Sequence, residues 1–232
     1  MKSTAIVLAG GSGTRMSAEQ KKQYLSIDGK PMLVYSLEQF ETSEYIDEII
    51  LVLPEDEIDY CRKKILKGYE FAKITAFVPG GRERYDSVMH ALKQANDSTY
   101  VFIHDAARPF IDQDIVKYSY KAAVKYGACA VGVPATDTIK KTDGAQMVTE
   151  TLDRNCLWQI QTPQVFLYDE LKAAYENFDA AGRPFVTDDA MVMERFGRLR
   201  VKMVMGSYEN IKITTPGDMY IAENILQRRW ER

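Results

Sequence analysis

The residues best suited to chemistry stand close to the N-terminus. Leu8-Ala9-Gly10-Gly11-Ser12-Gly13-Thr14-Arg15-Met16 is followed by Lys21-Lys22-Gln23-Tyr24. Glycines after an apolar run let the backbone turn tightly and come close to a ligand. Successive N–H groups can then wrap anionic oxygens. Two better-known glycine loops do not fit. A dinucleotide loop needs a small residue at Met16 for close helix–strand packing. A P-loop needs Gly-Lys-Ser/Thr, and Gly13 is followed by Thr14-Arg15. What remains is a glycine loop whose Arg15 and Lys22 can bracket a triphosphate. A plain strand–loop turn with surface cations reads the same residues equally well.

Three further segments carry polar groups worth weighing. His104-Asp105-Ala106-Ala107-Arg108-Pro109 follows an apolar run. Asp105 is suited there to ligating Mg²⁺ or accepting a ribose hydroxyl bond, and equally to capping a helix. A lone His104 reads more simply as packed and hydrogen-bonded than as a base. Pro79-Gly80-Gly81-Arg82-Glu83-Arg84-Tyr85-Asp86-Ser87 offers close backbone approach and a small hydroxyl, or else only a loop and a helix start. Asn210-Ile211-Lys212-Ile213-Thr214 puts a lysine inside a strand-like run, which asks for a partner for its ammonium. The following Thr215-Pro216 reads as an N-cap and first helical turn.

The elements that must position these groups alternate. Ala5–Leu8, Ile49–Leu53, Ile74–Val78, Tyr100–Ile103 and Cys129–Val133 are apolar runs of strand length. Helical patterns lie between them: one after Pro31 with Leu33, Leu37 and Phe40 on one face, one from Tyr85 to Ala95, and one from Gln113 to Tyr126. Such alternation predicts an α/β fold, a Rossmann-like three-layer sandwich around a mainly parallel sheet. Ligands of such sheets bind beyond the carboxyl ends of the strands. The loop after Leu8, the Gly80-Gly81 turn and His104-Asp105 all fall at such ends. Past Val133 the pattern breaks. Thr138–Thr142 and Gln146–Thr149 flank Asp143-Gly144, a hairpin signal. A lone hairpin is unstable in water, so its support is either the main sheet or the same arm of a second subunit; the second is favoured, giving a protruding β-hairpin arm at about 136–160 in an isologous homodimer. Helices around Leu167–Phe178 and Asp188–Phe196, a strand near Leu199–Val204 and a helix from Pro216 to about Trp230 complete a single domain over 1–232.

Bulk properties bound the function. The chain has 232 residues with 46% hydrophobic and 27% charged, an ordinary globular balance. Its net charge of −3 argues against a general nucleic-acid partner, which would need a basic excess. Cys61, Cys129 and Cys156 are far apart and form no C-x-x-C pair, so no disulfide framework or cysteine zinc site is expected. The N-terminal apolar run is too short for a signal peptide, and no stretch reaches transmembrane length. A cytoplasmic protein without a membrane partner is expected.

Taken together, these motifs resemble the sugar-phosphate nucleotidyltransferases, and most closely the 2-C-methyl-D-erythritol 4-phosphate cytidylyltransferases. Beyond the opening loop, the resemblance rests on Gly80-Gly81-x-Glu83-Arg84-x-x-Ser87-Val88, His104–Pro109, Asp137-Thr138, Arg154 with Trp158, Thr162-Pro163-Gln164, Thr187-Asp188 and Asn210–Thr214. The resemblance implies that CTP and a small polyol phosphate are joined, with Mg²⁺ as the metal. It implies Arg15, Lys22 and Lys212 as catalytic cations, and a CTP subsite of Leu8, Ala9, Gly10, Gly11, Gly13, Gly80, Gly81, Ser87 and Asp105. Arg108, Thr138, Arg154, Thr162, Thr187 and Lys212 would hold the acceptor, with Thr138 and Arg154 able to serve a neighbour's site. Asp105 would serve the ribose, the Mg²⁺ or the second substrate. Arg82 departs from relatives that carry Asp beside the base. Rival readings are a ribitol 5-phosphate cytidylyltransferase, a dinucleotide-binding oxidoreductase and a non-catalytic nucleotide-binding module.

Overall fold

The computed structural model describes residues 1–10 and 24–231. Gly11, Gly13, Arg15 and Lys22 therefore lie outside the described residues. Along the chain run β1 (Ser3–Leu8), β2 (Ser26–Ile27), β3 (Lys30–Pro31), α1 (Met32–Thr42), β4 (Glu48–Leu53), α2 (Ile58–Tyr60), β5 (Ile74–Pro79), α3 (Arg84–Leu92), β6 (Tyr100–Asp105) and α4 (Gln113–Tyr126). There follow β7 (Ala128–Pro134), β8 (Lys140–Thr142), β9 (Val148–Thr151), β10 (Trp158–Leu167), α5 (Tyr168–Ala180), α6 (Asp189–Phe196), β11 (Lys202–Met205) and α7 (Pro216–Trp230).

The main sheet has seven strands in the order β11-β7-β10-β6-β1-β4-β5. The pairs β1–β4, β1–β6, β4–β5 and β7–β11 are parallel. Strand alternation builds two cores at once. Ala5, Val7, Ile49, Leu51, Tyr100 and Phe102 face one side, where α1 and α4 pack. Ile6, Ile50, Val52, Val101 and Ile103 face the other, under α3, α5 and α6. Strands buried on both faces are continuous apolar runs because neither face meets water. The three-layer, mainly parallel α/β fold expected from the sequence is thus present.

β10 is the element that periodicity does not announce. It runs antiparallel between β6 and β7, in the middle of the sheet. Pro163 within it would ordinarily mark an edge strand, because proline cannot donate a ladder bond. Here the register shifts between Ile160 and Gln164. The proline therefore sits in an irregular stretch where no ladder donor is required. One strand-like reading is corrected and the hairpin is met with a longer loop. The segment Asn210–Thr214 pairs with no strand; the Ile213 N–H donates to the Ala107 carbonyl (2.9 Å) and Arg108 Nη1 to the Asn210 carbonyl (2.8 Å), which tie it to the loop after β6. The hairpin of β8 and β9 is present, but its loop is wider than a two-residue Asp-Gly turn. Asp143 Oδ1 accepts from the Ala145 and Met147 N–H groups at 2.9 and 3.0 Å, and the left-handed residue is Gln146 (φ 63°). Every residue of both strands is exposed.

Candidate active site

Three loop starts are tied to one another at the carboxyl end of the sheet. The Ala9 N–H donates to Val52 O (2.8 Å), Gly80 N–H to Leu53 O (2.7 Å) and Ala106 N–H to Leu8 O (2.9 Å). Each bond continues the ladder one residue past its strand, so the three segments leave the sheet side by side. Between them lies a cavity of about 360 Å³ lined by Leu8, Ala9, Gly10, Met32, the 81–84 turn, Ser87, Asp105, Ala106, Ala107 and Lys212.

Strand alternation decides where Asp105 points. Val101 and Ile103 face the α3, α5 and α6 side, so Asp105, two residues on, faces that side too. There it meets Arg84, the first residue of α3, with Nε 3.3 Å from Oδ1. Its other oxygen takes Lys212 Nζ at 2.6 Å. Asp105 is therefore no helix cap; Asp112 caps α4 instead, accepting from the Ile115 N–H at 2.8 Å. Burial alone would push the Asp105 carboxyl up, but Arg84 and Lys212 outweigh it and hold the group well below the usual carboxylate range. Arg84 also pairs with Asp189, Nη2 to Oδ2 at 2.7 Å. Burial opposes the guanidinium charge, and Asp189 and Asp105 restore it with a margin.

Ser87 shapes the glycine turn. Its Oγ accepts from the Gly81 N–H at 3.0 Å and donates to Glu83 O at 3.4 Å. A Cβ at Gly81 would collide with the Asp86 Cβ and come within 3.2 Å of that residue's backbone. Only glycine lets the turn fold back on α3 so closely. Glu83 and Asp86 form a capping box that fixes the start of α3.

His104 faces the opposite layer, as alternation requires, with its ring 5.2 Å from the Phe40 ring, edge to face. Its Nε2 donates to Arg108 O at 3.1 Å. That bond leaves Nδ1 to accept from the Thr162 hydroxyl at 3.0 Å, while the same hydroxyl oxygen accepts from the Asp105 N–H at 3.1 Å. The network needs a neutral imidazole, and burial pushes its pKa down to about 4. His104 is a buried structural residue, as the sequence reading favoured.

This pocket stands in a chain that matches the 2-C-methyl-D-erythritol 4-phosphate cytidylyltransferase family over residues 3–228. The chain belongs to that family. It is 50% identical over 225 residues to the 2-C-methyl-D-erythritol 4-phosphate cytidylyltransferase of Lachnospira eligens, covering 97% of this chain and 99% of that one. It is 44% identical to the Clostridium acetobutylicum protein of the same name, with 97% of each chain covered. Its fold is similar to the 4-diphosphocytidyl-2C-methyl-D-erythritol synthase structure from Anaerococcus prevotii, with a TM-score of 0.86, 35% identity, and 97% and 96% of the two chains covered. Membership of the cytidylyltransferase family sets aside the dinucleotide-binding oxidoreductase.

The fold gathers only part of the residue set expected for a cytidylyltransferase of this family. Leu8, Ala9, Gly10, Gly81, Ser87, Asp105 and Lys212 line the pocket, and Gly80 lies directly beneath it with its N–H on Leu53 O. Thr162 is buried behind Asp105 with its hydroxyl committed to the inward network. Arg108 is turned to backbone, Nη1 to Asn210 O at 2.8 Å and Nη2 to Ile160 O at 3.2 Å. Thr187 is exposed just before α6 and contacts Met191 Sδ. Thr138 and Arg154 sit exposed on the arm, with Arg154 Nη1 on Thr136 O at 2.9 Å. None of these five lines the cavity of their own chain. Arg84 stands in the Gly80-Gly81 motif but was given no role from sequence, and Asp189 was not singled out. One signal was available for Arg84, since a cation in the first turn of a helix opposes the macrodipole and so points to an acidic partner from elsewhere.

Proposed function

We propose that this protein transfers the cytidylyl group of CTP to 2-C-methyl-D-erythritol 4-phosphate, giving 4-diphosphocytidyl-2-C-methyl-D-erythritol and pyrophosphate in non-mevalonate isoprenoid biosynthesis. The observation that carries the reading is the pocket at the strand ends, in a chain that belongs to the cytidylyltransferase family along nearly its whole length. The acceptor is a phosphate monoester with a second pKa of about 6. It is largely a dianion at neutral pH and needs no general base, which suits a site whose histidine is buried and neutral. A phosphate oxygen attacks the α-phosphorus in line. One phosphorus–oxygen bond forms, the bond to the β-phosphate oxygen breaks, and pyrophosphate leaves with the electron pair. The barrier is the approach of one anion to another, so catalysis rests on positioning and on cations.

In this reading the backbone at Ala9, Gly10 and Gly81, with Ser87, receives the nucleotide. Arg15 and Lys22 neutralise the triphosphate, and Lys212, fixed by Asp105, faces the acceptor phosphate. Among the described residues no group of three or more acidic, His or Cys side chains could cage a metal. Mg²⁺ ordinarily needs only one or two carboxylates when substrate phosphates supply further ligands. The ionised Asp105 fits that requirement, and the metal would then arrive with the triphosphate and offset its charge. The exposed arm supports a homodimer in which Thr138 and Arg154 reach the partner's pocket. A single domain over 1–232, acting without membrane or nucleic-acid partners, completes the proposal; no helix among the described residues is long and apolar enough to cross a membrane. Pyrophosphate release from CTP, assayed with methylerythritol phosphate and with ribitol 5-phosphate, tests the reading. Release with the first acceptor alone is expected; release only with ribitol 5-phosphate, or with neither, refutes it.

A further inference from the structure

Arg84 occupies the first position of α3, where the helix dipole repels a cation. It is held there by two carboxylates, one on each side. Nε faces Asp105 Oδ1 at 3.3 Å, and Nη2 faces Asp189 Oδ2 at 2.7 Å. Asp189 has no exposed surface and lies outside the pocket lining. Its other oxygen accepts from the Tyr175 hydroxyl at 2.5 Å. A continuous polar chain thus runs Tyr175–Asp189–Arg84–Asp105–Lys212, from the α5–α6 layer to the pocket wall.

Geometry gives this chain a purpose. A guanidinium favours a two-pronged grip on one carboxylate. Were Asp189 absent, Arg84 would be free to take both oxygens of Asp105, including the one now paired with Lys212 at 2.6 Å. We propose that Asp189, oriented by Tyr175, is a positioning residue of the transferase site: it divides Arg84 between two carboxylates so that Asp105 keeps one oxygen for Lys212. The catalytic consequence rests on the function proposed above, whereas the coupling of Asp189 to Lys212 does not. The chain also joins α3, which carries the glycine turn, to the start of α6 beside Thr187.

The test is a double-mutant cycle with a spectroscopic readout. Asp189→Asn keeps the side-chain shape and removes the charge. A misplaced Lys212 should lower kcat for the acceptor reaction by about 10- to 100-fold, with the KM for CTP changed by no more than about twofold. In an Arg84→Gln background the same Asp189→Asn change should cost little further, because the two residues act as one unit. Tyr175→Phe should show a smaller loss with the same non-additivity, and it carries the test if Asp189→Asn fails to fold. Separately, reductive ¹³C-dimethylation gives Lys212 a resonance, assigned by its loss in Lys212→Arg. That resonance should move towards those of exposed lysines in Asp189→Asn and, less far, in Tyr175→Phe. Additive losses in the cycle, or a Lys212 resonance unmoved in both variants, overturn the positioning role. The resonance is read without turnover, so an error in the assigned substrate would leave this result standing.

Discussion

His104 allows a stability prediction that involves no substrate. The perturbation is His104→Gln, which keeps hydrogen-bonding capacity and removes the titration. In the fold the imidazole is completely buried, and its pKa lies at about 4. In the unfolded chain it returns to ~6.5. The unfolded state therefore binds the proton more tightly, and acid favours unfolding. Stability is greatest above pH 6.5, falls as the pH drops through the unfolded value, and stops falling below about 4. The whole gap is worth ~3 kcal/mol at about 1.4 kcal/mol per pKa unit. Integrating the linkage between pH 7 and pH 5 gives a loss of about 2 kcal/mol. With a urea slope of roughly 2–3 kcal/mol/M for a chain of this size, the midpoint should fall by about 0.7–1 M over that range. Urea unfolding followed by circular dichroism at pH 7, 6 and 5 reads this directly, in a range above the titration of ordinary carboxylates. His104→Gln should be less stable at pH 7, since it disturbs a packed network, yet its midpoint should change much less with pH. A flat wild-type profile between pH 7 and pH 5, or a variant with the wild-type slope, would show that His104 is not held neutral by the Thr162 and Arg108 contacts.

Four other outcomes are expected. Asp105→Asn leaves Arg84 with Asp189 alone and frees the partly exposed Lys212, so we expect a loss of about 2–4 kcal/mol, near the lower end of a broken buried pair, and a Tm lower by roughly 5–10 °C. That loss should shrink as the pH falls below ~4, because the unfolded chain's carboxyl then takes up a proton while the folded one, held low by Arg84 and Lys212, stays ionised; calorimetry at pH 7 and pH 3 checks both statements. Gly81→Ala must push the turn off Asp86 and should weaken CTP binding at least ~10-fold, with a cost of about 1.4 kcal/mol or more; unchanged affinity by titration calorimetry would mean the turn does not touch the nucleotide. Lys22→Ala should depress kcat by about a hundredfold or more while changing the KM for CTP far less, and a normal kcat would rule out a transition-state role. Arg154→Ala should raise the KM for the acceptor phosphate, because a guanidinium fork grips phosphate with two bonds; an unchanged KM would remove it from the acceptor site.

Much of this protein could be read from local sequence, because what is local in the fold is also local in the chain. The apolar runs at Ala5–Leu8 and Ile49–Leu53 had to be strands buried on both faces, and Pro216 had to open a helix behind the Thr215 cap, whose capping box with Asp218 is present. Gly80-Gly81 and Asp105 could be placed at strand ends, and strand ends of a parallel sheet converge. Even the side that Asp105 faces follows from counting in twos. Tertiary structure decided the rest. β10 enters the middle of the sheet with a proline in it, because an irregular register spares that residue a ladder bond, and nothing in its own periodicity says so. Only the fold shows that the Thr162 hydroxyl joins His104 to the Asp105 backbone and that the two Nη atoms of Arg108 meet the Asn210 and Ile160 carbonyls. Asp105 meets Lys212 across 107 residues of chain, and Arg84 meets Asp189 only because α3 and α6 cover the same face of the sheet. Pairing of charges depends on distance through space, and crossover connections set that distance, so a sequence can name the ions of a site without naming which ion each one holds.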